Sequence, residues 1–438
     1  MALCKCPSRT LPLQFTDNSA PLSNPSFPPE ECIHSENQDA ATTPGDVQSL
    51  LASWERRCLL STIVAPDGDS QGLSSRQASE DLKVIEAQIT TFLTHILDSR
   101  DARHAAQELE GSSAQSFVDA IQNVLDWGTL ADASSRAKAR QLMRKVAEAG
   151  EQLPSSLFIT GVNDHDEHPT FGGGFGDVYQ ASYNGKTVAL KRIRTFTADS
   201  TTRRNRLQFY KEALVWQSLR HRFIIPLLGI DRSTFAPSFC MVSPWMKYGT
   251  VLKYLRDHGR GDVNRLLLEI ALGLEYLHSL NIVHGDLRGN NILIADDGNA
   301  CLSDFGLATT FSDADSAAGT TSSSNRAGSI QWFAPELIQP QSFGHERFVR
   351  TTATDVYAYA CVCLELYTGR PPFAHLPDVA AMLRVIAGDR PEQPTTISDA
   401  LWQLVTAAWA PESHARPSIH EIVVALEGGP ATVPASPI

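Results

Sequence analysis

The feature that most constrains the fold is a change of hydrophobic period along the chain. Leu82, Ile85, Ile89, Phe92, Leu93, Ile96 and Leu97 recur at 3- and 4-residue steps. That spacing puts them on one face of a helix, with Ser79 ahead of them as an N-cap candidate. A second stripe is Phe117, Val118, Ile121, Val124 and Leu125, and a third is Ala137, Leu142, Met143 and Val146 after Ser134 and Ser135. The stripes predict helices over about 79–97, 114–126 and 134–149. Each needs a neighbour to hide its apolar face, so a small helical module is expected within residues 46–153. After Pro154 the pattern becomes strand-like, and from about residue 250 to 427 it is helical again. A chain of 438 residues has room for two or three such units.

The ends read differently. Residues 1–45 are rich in proline, serine and threonine and poor in apolar residues, which predicts a disordered leader. Residues 428–438 predict a frayed tail. The eight cysteines show no zinc-type spacing, and several sit in apolar runs. They read as reduced, buried thiols of a cytoplasmic protein. No window approaches the apolar length of a membrane span. Lys plus Arg number 37 against 49 Asp plus Glu, and neither the first 156 residues nor the remainder carries a basic excess. Nucleic-acid binding is therefore disfavoured.

The residues that carry chemistry follow Pro154. Phe171-Gly-Gly-Gly-Phe-Gly-Asp-Val178 is a glycine-rich turn running into an apolar strand. Glycines at a hairpin tip let backbone N–H groups approach phosphate oxygens. Fifteen residues past Gly176, Lys191 ends the apolar run Val188-Ala-Leu, and Glu212 on the helix that follows is placed to hold it by a charge-assisted hydrogen bond. Each alone has a bland reading: a tight bend, an edge lysine, a solvated helix residue.

The next cluster is more specific. Ile282-Val-His-Gly-Asp-Leu-Arg-Gly-Asn-Asn-Ile-Leu-Ile294 sets Asp286 and Asn291 in a polar loop between apolar runs, and Asp304-Phe-Gly306 follows. Asn291 and Asp304 are oxygen ligands suited to Mg²⁺, which leaves Asp286 to accept a hydroxyl proton. Ala334-Pro-Glu336, Asp355-Val-Tyr and Arg416-Pro417 come later in the chain.

Taken in order and spacing, these motifs resemble a eukaryotic protein kinase catalytic domain over residues 157–427, with features of the tyrosine-kinase-like group of Ser/Thr kinases. The resemblance implies an α+β, bilobal fold: a small antiparallel β-sheet lobe with helix C, and a large, mainly helical lobe. It implies ATP and Mg²⁺ as cofactors and a protein substrate phosphorylated on Ser/Thr. By the same resemblance Asp286, Lys191 and Arg288 form the catalytic set, and Asn291 and Asp304 hold the metal. The nucleotide would lie against Gly172, Gly173, Gly174, Phe175, Gly176, Val178, Ala189, Lys191, Glu212, Ser243, Trp245 and Met246, with Ser243 as a small gatekeeper. Glu336 and Arg416 match a structural ion pair, and Asp355 matches the aspartate that braces the catalytic loop.

Four departures qualify the resemblance. Phe171 stands where the first loop glycine is usual. Gly285 replaces the arginine that ordinarily precedes the catalytic aspartate and pairs with an activation-segment phosphate, so activity independent of such phosphorylation is expected. Arg288 stands where Ser/Thr kinases carry lysine, while Ser329 stands where they carry threonine. The alternatives are a tyrosine or dual-specificity kinase, and a pseudokinase scaffold without turnover. The helical region 79–150 is a candidate site for a protein partner in either case.

Overall fold

The computed structural model describes residues 45–64, 73–173, 176–192, 199–310 and 330–428. Of the expected leader 1–45 all but Gly45, which begins a helix, lies outside the described residues, as do Gly174, Phe175, Ser329 and the tail after Gly428.

The amino-terminal module is helical: α1 (Gly45–Val64), α2 (Leu73–Asp98), α3 (Arg100–Gln107), α4 (Gly111–Trp127) and α5 (Ala133–Gly150). Ile85, Ile89, Leu93, Phe117, Ile121 and Val146 are buried in its core, as the stripes require. The other two helices escape the periodicity argument. Among the described residues α1 buries Val47, Leu50 and Trp54, and α3 buries two alanines, Ala102 and Ala106, which barely register on a hydropathy pattern. The caps also differ from expectation. Ser79 lies inside α2, whose first residue is Leu73. α5 is capped by Asp132, which accepts from the Ser135 N–H at 2.8 Å and the Ser135 hydroxyl at 2.7 Å.

The small lobe follows, with strands β1 (Val162–Asn163), β2 (Phe171–Gly173), β3 (Gly176–Tyr183) and β4 (Lys186–Arg192), helix α6 (Asp199–Trp216), then β5 (Gly229–Asp231) and β6 (Cys240–Pro244). Among the described residues these strands form one antiparallel sheet in the order β1-β3-β4-β6-β5, with β2 paired to β3. Strand alternation divides its two faces. Tyr179, Ala181, Val188, Leu190, Cys240 and Val242 pack together on one face. The intervening Ala189 and Lys191 are thereby turned to the other, where Ala189 pairs with Ser243 and Lys191 with Met241.

The large lobe contains α7 (Val251–His258), α8 (Val263–Ser279), β7 (Ile282–Val283), β8 (Ile292–Ile294), β9 (Ala300–Leu302), β10 (Thr309–Thr310), α9 (Pro335–Ile338), α10 (Thr352–Thr368), α11 (Asp378–Ile386), α12 (Asp399–Ala408) and α13 (Ile419–Glu427). This is the bilobal arrangement expected, with the helical module ahead of it. Among the described residues, one continuous hydrophobic cluster, separate from that sheet face, includes the module core, Leu153, Phe209, Tyr210 and residues of α8 and α10. The connecting chain is tied down as well. Ile159 donates to the Ile230 carbonyl at 3.0 Å, and a Cβ on Gly229 (φ +158°) would meet the Leu157 carbonyl at 2.9 Å, so only glycine admits this approach. The described cysteines are free, and burial pushes the Cys240 and Cys301 thiols up to about 12, which leaves them inert. No described helix is long and apolar enough to cross a membrane.

Candidate active site

The site is built from two hairpins and one helix. β8 and β9 are antiparallel, with Ile292 opposite Leu302. Just before the hairpin, the Asn291 carbonyl accepts from the Ser303 N–H at 2.9 Å and the Ser303 hydroxyl at 3.0 Å. That pairing fixes Asp304, the next residue, beside Asn291. Asp304 has φ +65°, a left-handed conformation that aspartate tolerates better than most residues. Its Oδ1 receives Lys191 Nζ at 2.7 Å, and the same ammonium meets Glu212 Oε1 at 2.6 Å. One lysine on β4 thus joins helix α6 to the Asp-Phe-Gly turn.

The electrostatics follow from burial. Taking Lys191 out of water would lower its pKa, but Asp304 and then Glu212 outweigh that effect and hold it raised, so the ammonium persists. Burial pushes the Glu212 carboxyl up against the pull of Lys191. Asp304 is also penalised by burial, yet Lys191 holds it below its ordinary value. Two carboxylates share one cation, and Asp304 is the one that keeps its charge more firmly.

Asp286 is buried in the polar loop. Asn291 Nδ2 donates to its carboxylate Oδ2 at 2.9 Å and to its backbone carbonyl at 2.8 Å, while Arg288 Nε stands 3.5 Å from Oδ2. The loop is braced from beneath. Asp355 accepts the backbone N–H groups of His284 at 2.8 Å and Gly285 at 2.9 Å, and His278 Nε2 lies 3.0 Å from the same carboxylate. Gly285 cannot carry a side chain in this arrangement. It has φ +78°, and a Cβ would meet the Leu307 carbonyl at 2.8 Å and Arg350 Cδ at 2.7 Å. The missing arginine is thus enforced by packing.

The other expected site residues that are described sit on the small-lobe sheet and in the segment that follows it. Gly172 and Gly173 pair with Asp177 and Gly176 across the β2–β3 hairpin, and Val178 pairs with Lys191. Trp245 donates its N–H to the Thr187 carbonyl at 3.2 Å, and Met246 follows with its carbonyl accepting from Gly249 at 2.9 Å. Phe171, expected only as a replaced glycine, stacks on Trp245 with ring centroids 6.1 Å apart.

Several contributors are absent from the sequence reading. Gln208 of α6 donates to the Gly306 carbonyl. Phe305 is buried against Trp216 and His284 at centroid distances of 5.9 and 5.6 Å. Glu365 of α10 accepts from the Gly289 N–H at 2.9 Å and Trp332 Nε1 at 3.0 Å. A lone acid inside the apolar run Ala358 to Leu366 was the available signal, because a buried carboxylate demands donors. Glu336 and Arg416 form the expected bidentate pair at 2.6 and 2.7 Å.

The fold and this constellation define a protein kinase. The chain belongs to the protein tyrosine and serine/threonine kinase family, which residues 170–426 match. Among its relatives, the serine/threonine-protein kinase STY46 of Arabidopsis thaliana is 29% identical over 267 residues, 59% of this chain and 43% of that protein. The serine/threonine/tyrosine-protein kinase HT1 of the same plant is 29% identical over 262 residues, 58% of this chain and 63% of HT1. The serine/threonine-protein kinase TNNI3K of Mus musculus is 31% identical over 287 residues, 63% of this chain and 32% of that protein. The chain therefore spans less than two thirds of each of these relatives.

Proposed function

We propose that the protein transfers the γ-phosphoryl group of ATP, with Mg²⁺, to Ser/Thr hydroxyls of protein substrates in the cytoplasm, as part of intracellular signalling. The observation that carries this reading is the link from Lys191 to both Glu212 and Asp304 at 2.6 and 2.7 Å, beside an Asp286 carboxylate oriented by Asn291 at 2.9 Å.

Roles follow from the donor sets. Lys191 would bind the α- and β-phosphates, and the β2–β3 hairpin would offer backbone N–H groups over them. Ala189, Ser243, Trp245 and Met246 would border the adenine. Asp286 would orient the substrate hydroxyl and take its proton, with Arg288 beside it. Positioning and neutralisation of charge supply most of the catalysis in such a site.

Mg²⁺ fits what the chain provides. Asn291 commits its amide nitrogen to Asp286, which leaves its oxygen as a donor, and Asp304 commits Oδ1 to Lys191, which leaves Oδ2. Both are hard oxygen ligands. Among the described residues no group of three or more His, Cys, Asp or Glu side chains could hold a metal ion alone, so phosphate and water would complete the shell. When bound, the ion neutralises phosphate charge.

A peptide array carrying Ser, Thr and Tyr acceptors tests the proposal. Labelling of Ser/Thr peptides by the wild type is expected. Labelling confined to Tyr peptides would replace the specificity, and no labelling would favour a scaffold without turnover.

A further inference from the structure

Helix α6 is gripped on two sides. Arg203, Arg206, Tyr210, Ala213 and Gln217 recur at 3- and 4-residue steps and form one stripe. Glu212 and Gln208 lie roughly half a turn away on the opposite face. The Glu212 face serves the active site through Lys191 and the Gly306 carbonyl. The arginine face meets the amino-terminal module. Glu151 Oε1 accepts from Arg203 Nε at 2.8 Å, and Glu151 Oε2 lies 2.5 Å from Arg206 Nη2. Glu148 stands 3.5 Å from Lys211, and Gln217 donates to Gln122 of α4 at 3.0 Å. Tyr210 and Ala213 are buried between.

Exposed ion pairs are ordinarily worth little, so the bland reading is a surface salt bridge. The backbone argues against it. Glu151 ends α5 at φ +51°, ψ +42°, a left-handed position where glycine or asparagine is the favoured residue. The chain keeps a strained glutamate there, and both of its carboxylate oxygens are taken by α6. Residues held in such a conformation mark places where a side chain is needed.

We propose that Glu151 is a positioning residue for phosphoryl transfer: by clamping Arg203 and Arg206 it fixes the rotation of α6 that brings Glu212 to Lys191. The amino-terminal helices thereby set the catalytic rate of the lobe they touch. The inference rests on the kinase reading above and deepens it.

The test uses the full-length protein and substitutes Glu151→Gly, which suits the left-handed backbone, and Glu151→Gln, which keeps the strain but not the charge. Both are expected to lower kcat about fivefold or more, with peptide KM unchanged. The thermal midpoint of Glu151→Gly should not fall below that of the wild type. Amide exchange across residues 199–216 should accelerate in both variants. A wild-type kcat in Glu151→Gly, or unchanged exchange across α6, would overturn the proposal. If the wild type itself transfers no phosphate, the kinase reading fails, and the exchange measurement still decides whether Glu151 holds α6.

Discussion

Lys191 Nζ lies 2.7 Å from Asp304 Oδ1 across 113 positions of sequence, and the space around that contact is filled. A Cβ on Gly306 would come within 2.9 Å of Glu212 Oε2 and 3.4 Å of Asp304 Oδ1. Gly306→Ala therefore displaces the Glu212 carboxylate from Lys191. The carboxylate needs to move only a fraction of an ångström, and a displacement near 1 Å costs such sites roughly 100-fold, so kcat should fall by less than that factor. Steady-state kinetics and urea unfolding check this, the unfolding midpoint changing little.

The shared ammonium should set the acid limb of the pH profile. Burial raises Glu212 while Lys191 holds Asp304 down, so Glu212 takes up a proton first as pH falls and releases Lys191. Activity should decline on the acid side above the ordinary carboxylate range. Glu212→Gln should show low activity throughout and no such limb. The stability terms have opposite signs. Asp304's lowered pKa contributes stability that is present above its unfolded value and lost as pH falls through its folded value. Glu212's raised pKa subtracts stability at neutral pH and returns it as pH falls through its folded value.

Glu336 and Arg416 are both buried and joined at 2.6 and 2.7 Å. Removing one partner strands the other charge, which costs about 3–5 kcal/mol. Glu336→Ala should lose that much in urea denaturation. The folded fraction should keep the wild-type KM for ATP, since neither residue touches the Lys191 group.

Phe171 stacks on Trp245, the residue proposed above to border the adenine. An aromatic pair contributes about 0.5–1.5 kcal/mol beyond its area, equivalent to a change of up to about tenfold in a rate. Phe171→Gly should therefore speed release of a fluorescent ADP analogue by up to that factor in stopped-flow measurements. An unchanged release rate would show that the stack does not gate the nucleotide.

The lobes and the motif residues were legible because each rests on local pattern. Val188 and Leu190 alternate with Ala189 and Lys191, and the spacing of Asp286, Asn291 and Asp304 survives folding as the β8–β9 hairpin. What pattern could not reveal is what charged residues meet at long range. Glu151, Arg203 and Arg206 carry no apolar or motif signal, and only tertiary packing brings them together. α3 was missed because Ala102 and Ala106 carry almost no hydropathy signal. The reason for Gly285 was equally hidden, since it lies in the approach of Arg350 and the Leu307 carbonyl.

The most direct test of the kinase reading compares wild type with Asp286→Asn in transfer of labelled γ-phosphate from ATP to Ser/Thr peptides. Asp286→Asn keeps the shape of the loop and removes the carboxylate that orients the hydroxyl and takes its proton, a role worth roughly 10²–10⁴-fold. Robust labelling by the wild type and a loss of that size in the variant are expected. Equal incorporation by the two proteins would contradict the kinase reading.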